Sequence, residues 1–366
     1  MVLTISDRAL TLTKSFDALE IALSEINALV FADDTITVKA DSGEYAFSGM
    51  GRWCEPFYGA LKVAYNRALQ RSLFVKDKPL FTARGAYRYV ENQGCVEGKA
   101  LFHVYENSVV SLTPDLFVRR IPLCFVNAIE KSVYELSLEL DTGERYTYSE
   151  LGPDTTPFEE AIKKQLGFLG DQSVRAIREI DPSLTAGEAM QVARLMPLGA
   201  ATALAQLSKT SSSFAVTLLT MLVESRIGES FWVLKELCDP GQIHIGFRKN
   251  DESSDSPYLL WFIAPSPDGS YALLESAEDD SASLVFFTGG DYAVFTRQLN
   301  HSLEAVAFNS EVLCLSDEEL CRPENTDYCM AVKRTAALQF VRSNYVGRLI
   351  HTNAEAWKRD LMEFFR

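Results

Sequence analysis

The sequence predicts an α+β protein with two tandem small β-barrels, each closed by a C-terminal helix, then a helical middle segment and a C-terminal α+β domain. Three observations predict this. The stretch at 21–62 recurs at 121–163. Within each copy the apolar spacing changes from period two to period 3.6. After residue 170 the pattern turns wholly helical and returns to strands only at Ile243. The expected domains are 1–76, 80–170, 171–240 and 241–366.

The duplication is nearly gapless. Leu12, Thr13, Ile21, Leu23, Asn27, Ala28, Asp41, Gly43 and Glu44 recur 100 positions later. One extra residue near Arg145 shifts the register, so Tyr45, Ser48, Gly51, Pro56, Phe57, Ala60 and Lys62 recur 101 positions later. These are sixteen identities, where average residue usage leaves about three by chance. In the second copy Tyr134, Leu136, Leu138 and Leu140 alternate with polar residues, which predicts a strand with one apolar face. Ile36, Val38 and Ala40 do the same in the first. Asp141-Thr142-Gly143-Glu144 and Asp41-Ser42-Gly43-Glu44 read as hairpin turns in which Gly supplies the positive φ. Pro56 and Pro157 then open helices with Phe57 or Phe158 leading the apolar face.

The strand Ile121-Pro122-Leu123, the hairpin Tyr134–Tyr148, the exit Ser149-Glu150-Leu151-Gly152 and the helix from Pro157, with their partners in the first copy, resemble the pleckstrin-homology (PH) superfold, in tandem and of the bacterial type. The resemblance implies barrels plugged by the leading Phe of each helix. Where PH domains bind phosphoinositides, the basic cluster lies on the first two strands and their loop, which implies Arg84, Arg88 and Lys99 here. The loop at 91–99 departs from that pattern, carrying Glu91 and Glu97 against Lys99 alone. The copies also differ at their starts. Two strands, Gly85–Val90 and Ala100–Tyr105, precede the second and are missing from the first, so the first barrel is either incomplete or has its open edge paired by another part of the chain, which is the expectation.

Helices are expected at Asp171–Ile180, Thr185–Leu207 with a kink at Pro197, Phe214–Val223 and Phe231–Leu237. Strands follow at Ile243–Arg248, Tyr258–Ala264, Tyr271–Glu275 and Ser283–Thr288, then helices at Phe295–Ala307, Cys329–Ser343 and Thr352–Phe365. This region reads either as a third, degenerate PH-like unit or as an unrelated α+β domain.

A formal net charge of -15 argues against nucleic-acid binding. The N-terminus lacks a secretory pattern, and Arg194 and Lys209 break the one apolar stretch, at 195–223, so a cytoplasmic protein without a transmembrane segment is expected. Seven scattered cysteines fit a reducing compartment and are expected to be buried apolar side chains, as are the four tryptophans. Four isolated histidines predict no metal, and no cofactor motif or catalytic signature is present. Glu159-Glu160 and Asp279-Asp280 read as solvated surface. The one charge anomaly is basic. Lys62, Arg67, Arg71, Lys76, Lys78, Arg84 and Arg88 face only Asp77 within 62–88. Arg67, Arg71, Lys76, Lys78, Arg84, Arg88 and Lys99 are therefore the candidate contacts for an anion or an acidic partner, including the chain's own acidic stretch Asp251–Asp280.

The expected function is a non-enzymatic adaptor or assembly subunit that binds a protein partner through unpaired barrel edges and capping helices. The alternatives are a peripheral membrane protein reading anionic headgroups, and an enzyme whose site is assembled from distant residues. Oligomeric state cannot be read from the sequence.

Overall fold

In the computed structural model, which describes residues 2–14, 17–74, 78–91, 94–113, 118–250, 257–278, 281–351 and 353–365, the first copy forms two separate three-stranded antiparallel sheets. Strands β1 (Val2–Ile5), β2 (Ala9–Lys14) and β3 (Asp17–Ala22) make one, and β4 (Ile26–Ala32), β5 (Thr35–Ala40) and β6 (Gly43–Phe47) the other. Helix α1 (Cys54–Ser72) follows and contributes Leu61, Tyr65 and Leu69 to a core with Leu10, Ile21, Ile36 and Val38.

The second copy is one continuous sheet. Strands β7 (Phe81–Glu91), β8 (Gly94–Val104), β9 (Ser108–Leu112), β10 (Arg119–Pro122), β11 (Val126–Lys131), β12 (Glu135–Leu140) and β13 (Arg145–Ser149) stand in the order β10-β9-β8-β7-β13-β12-β11. The sheet curves into a half-barrel packed by α2 (Thr155–Ile180). Strand β7 is the seam, paired with β8 along its whole length and with β13 over Ala86–Val90. Phe158 at the head of α2 is fully buried, its ring 5.2 Å from Tyr148 and 5.9 Å from Phe102. Its counterpart Phe57 is only half-buried.

The shared residues have identifiable backbone roles. Asn27-Ala28 and Asn127-Ala128 sit at the same β-bulge, where the register slips between β4 and β5 and between β11 and β12. The Asp41 amide donates to Glu25 O at 3.0 Å and the Asp141 amide to Phe125 O at 3.1 Å, closing the same turn in each copy. Gly51 and Gly152 both take positive φ, +50° and +57°, at the exit into the helix. Two identities do not survive. Leu12 pairs with Leu19 whereas Ser111 pairs with Arg119, so Leu12/Leu112 and Thr13/Thr113 lie one residue out of structural register.

Two expectations about the first copy need correction. It does not lack both leading strands, because β1 pairs with β2 as the second half of β8 pairs with β9, Ile5 facing Leu10 as Val104 faces Val109. Nor is its open edge covered from elsewhere in the chain. Among the described residues β1 pairs only with β2, and β6 only with β5.

The rest of the chain forms three layers. Helices α3 (Ala186–Leu195), α4 (Leu204–Thr210), α5 (Ser212–Glu224) and α6 (Gly228–Leu237), with the short strand β14 (Thr202–Ala203) between α3 and α4, cover one face of a six-stranded antiparallel meander. The meander runs β14, β15 (His244–Lys249), β16 (Tyr258–Pro265), β17 (Tyr271–Ser276), β18 (Ala282–Phe287) and β19 (Tyr345–Ile350). Between β18 and β19 come α7 (Tyr292–Ala305), α8 (Asp317–Leu320), α9 (Thr326–Arg334) and α10 (Ala336–Ser343), and α11 (Ala354–Leu361) ends the fold. Alternation on β16 divides the core: Leu260 and Phe262 pack with α3, α5 and α6, whereas Trp261 and Ile263 pack with α7 and α10.

The helical segment expected at 171–240 is thus one layer of the C-terminal domain, and α2 runs unbroken through 170/171. The single helix expected at Cys329–Ser343 is two helices broken at Thr335, and the helix expected at Thr352–Phe365 is α11, with Thr352 outside the described residues. Strands β14 and β19 were not expected.

Candidate partner-binding site

The first copy carries a slot where the second carries β7. Tyr45 and Phe47 of β6 correspond to Tyr146 and Tyr148 of β13, since Val38 faces Tyr45 as Leu138 faces Tyr146. Leu3 and Ile5 of β1 correspond to Phe102 and Val104. In the second copy Phe102, Val104, Tyr146 and Tyr148 are all buried. In the first, Leu3, Ile5 and Tyr45 are only half-buried, and Val2 is 61% exposed. Two unpaired strand edges therefore flank a strip of uncovered core, an arrangement that invites pairing with a further strand.

The opposite side of each copy is docked on the C-terminal domain through the shared turn aspartate. Asp41 is bonded to Lys333 of α9, whose ammonium also donates to Ser24 O at 2.8 Å, and to Asn27 at 2.8 Å. Burial pushes the Asp41 carboxyl up, but the bonds from Lys333 and Asn27 outweigh it and leave it below its ordinary value. Asp141 pairs with His301 of α7 at 2.5 Å, and the His301 ring stacks on Phe125 at 4.0 Å. Beside it Arg120 and Glu304 make a buried bidentate pair at 2.5 and 2.6 Å.

A cleft of about 600 Å³ lies between the second copy, α2 and the C-terminal domain. Phe74, Leu198, Ala307 and Phe308 in its wall have φ of 53°, 50°, 53° and 69°, four of the seven described non-glycine residues in that region. Such strain gathers at binding surfaces. Arg248 braces the lip by donating to Ala307 O and lying 4.8 Å over the Phe308 ring. Among the described residues no His or Cys lines the cleft, and the Ser173 hydroxyl is taken up by Leu169 O and the Leu198 amide.

Distant residues do gather one Ser-His-Glu set. Ser283 Oγ bonds the Glu275 carboxylate, accepts from Trp357 Nε1 at 2.9 Å and lies 3.0 Å from His351 Nε2. Glu275 approaches the same ring nitrogen at 3.4 Å, so the carboxylate does not orient the imidazole from its far side as a hydrolytic relay requires. Ser283 and Glu275 are fully buried, and the cluster ties β17, β18 and α11 together.

The basic residues singled out by sequence are dispersed. Arg67, Arg71 and Lys78 are exposed, with Arg71 donating to Asp7 O at 2.6 Å; Lys76 lies outside the described residues. Arg84, Arg88 and Lys99 share the outer face of the β7–β8 hairpin, but Arg88 faces Glu97 across the strands and lies 4.0 Å from Glu135, and Lys99 lies 3.3 Å from Glu150. In the acidic stretch Asp251, Glu252, Asp255, Asp279 and Asp280 lie outside the described residues. Glu159, expected on solvated surface, is buried and held below the ordinary carboxylate range by bonds from Lys131 and Lys163. Cys95 and Cys321 are exposed rather than buried, and so are Trp53 and Trp232, each beneath a cation, Arg52 or Lys235.

Sequence reasoning marked the start of the first copy as the place where the copies differ but expected its edge to be covered within the chain, and it missed the docking contacts, because His301 and Lys333 have no local signature. Among the described residues no cluster of His, Cys, Asp or Glu is placed to hold a metal, and no helix is long and apolar enough to cross a membrane. A scan against protein-family models and a search of curated proteins find no match for this chain.

Proposed function

We propose that this protein is a non-enzymatic adaptor or assembly subunit that uses its first, incomplete unit to bind a protein partner. In this reading the two copies are PH-like units, one complete and one not. The observation that carries it is the slot: β1 and β6 have no further strand partner among the described residues, and Leu3, Ile5 and Tyr45 are half-exposed where their counterparts in the second unit are buried or covered. An edge of this kind is a liability unless it is covered in use. The docked turns, Asp41 on Lys333 and Asp141 on His301, hold both units on one support. Headgroup binding gains no support, because Glu97, Glu135 and Glu150 stand among Arg88 and Lys99.

Affinity purification of the full chain from its native cell, followed by crosslinking, tests this. A stoichiometric protein partner crosslinked to residues 2–5 or 43–48 is expected. Absence of any stoichiometric protein, or vesicle co-sedimentation that depends on Arg84 and Arg88, overturns it.

A further inference from the structure

We infer that the slot is completed by an extended segment of a separate protein chain, added antiparallel to both β1 and β6 in the place that β7 holds in the second unit. This rests on the adaptor reading and names the element by which the partner binds.

The second unit supplies the template, residue by residue. There the first part of β7 pairs with β8 (Phe81 with Val104, Ala83 with Phe102), and the later part also pairs with β13 (Tyr87 with Tyr148, Tyr89 with Tyr146). Both receiving edges persist in the first unit as Leu3 and Ile5 on β1 and Tyr45 and Phe47 on β6. Among the described residues no strand bridges them, and β1 matches only the Leu101–Val104 half of β8. Strand β7 cannot bridge both units, since one edge is paired with β8 throughout and the other is held by β13 over Ala86–Val90, the stretch that would have to face β6.

Carrying the register across specifies the incoming segment. An apolar residue faces Ile5 and a small one faces Leu3. A glycine follows at the Gly85 position, where a Cβ would stand 2.4 Å from Ser149 O. Aromatic residues then face Phe47 and Tyr45, in the places of Tyr87 and Tyr89. The residue after them faces Glu44, which stands where the second unit has Arg145, so a Lys or Arg is favoured there. The result is about ten residues spanning roughly 33 Å at about 3.3 Å per residue. Main-chain bonds to both edges give such a segment affinity, and the alternate aromatic contacts give it specificity.

A fluorescein-labelled peptide with the sequence of residues 81–91, FTARGAYRYVE, serves as the probe, titrated into the full-length protein. One-to-one saturable binding is expected, weakened at least tenfold by Tyr45→Lys and strengthened when the peptide carries Val90→Lys. A peptide N-methylated along its backbone keeps every side chain and leaves the protein unaltered, and it is expected not to bind. Register is read by disulfide trapping between Ala46→Cys in the protein and Arg88→Cys in the peptide, which should exceed trapping by a Tyr87→Cys peptide, because directly opposed residues lie about 4.5–5.5 Å apart. Failure of the peptide to bind, equal binding of the N-methylated peptide, or trapping without register preference overturns the strand assignment. A concentration-dependent dimer of the protein alone that Tyr45→Lys dissociates would replace the separate partner with a second copy. If the peptide fails while cellular crosslinks still map a stoichiometric partner to residues 2–5 or 43–48, the adaptor reading survives and the strand inference does not.

Discussion

His244 sits half-buried against Tyr292, its Nδ1 2.8 Å from Gln242 O and 3.1 Å from the Tyr292 hydroxyl. Burial lowers its pKa to about 4, against about 6.5 in an unfolded chain. In that window the unfolded chain binds more protons than the folded one, so the stability this residue contributes is complete above about pH 6.5 and is lost as pH falls toward 4. His244→Gln should flatten the fall in thermal midpoint between pH 7 and pH 4.5, and identical wild-type and variant profiles would exclude the assignment. The same scale shows what the sequence made legible. Asn27-Ala28 and the Asp-x-Gly-Glu turn were visible as repeats because backbone geometry, a bulge and a closed turn, recurs with them. That Asp41 and Asp141 also anchor each unit was not visible, because their partners, Lys333 of α9 and His301 of α7, lie 292 and 160 positions away.

Strand β7 changes character at Gly85. Before it the strand pairs with β8 alone, and after it with β8 and β13 together. Glycine is required because β13 approaches so closely: besides Ser149 O, an added Cβ would meet Leu151 Cδ2 at 2.9 Å. Gly85→Ala is expected to destabilise the second unit by about 1–3 kcal/mol, read as a lower urea midpoint, while Gly167→Ala on α2, where an added Cβ meets nothing within 4 Å, should not. Alternating strands and amphipathic helices were legible at this scale because one buried face imposes the period. Strands β14 and β19 were not. Two-residue β14 is too short to show a period, and β19 is separated from α10 by Asn344 alone, too short a break to announce a change of element. The expectation that the first copy's edge is covered within the chain failed because pairing is a property of two strands and only one was in view.

Across the whole molecule, the two units are held on the C-terminal domain by related but unequal contacts. The second is fixed by the buried Arg120–Glu304 pair, and removing one partner of such a pair leaves an uncompensated charge costing about 3–5 kcal/mol. The first is held by the more exposed Lys333–Asp41 bond. Glu304→Gln should therefore lower global stability, whereas Lys333→Met should act locally, raising hydrogen exchange in residues 23–29 and 326–334 with little change in residues 81–149. A uniform response to both variants would contradict this division. Domain boundaries were the least legible feature, because the helices of 186–237 look self-sufficient in sequence and are recognised as one layer of a sandwich only when β16 shows where its two faces point.

The uncovered strip beside β1 and β6 has a consequence for supply. A ligand that binds only the folded form stabilises it by mass action, so the lifetime of the first unit would rise with the amount of strand donor in the cell. Chains made in excess of the donor would keep an open edge, open more often and be removed by proteolysis sooner. The abundance of this protein would then follow that of its partner without transcriptional control, as a matter of stoichiometry set by one missing strand.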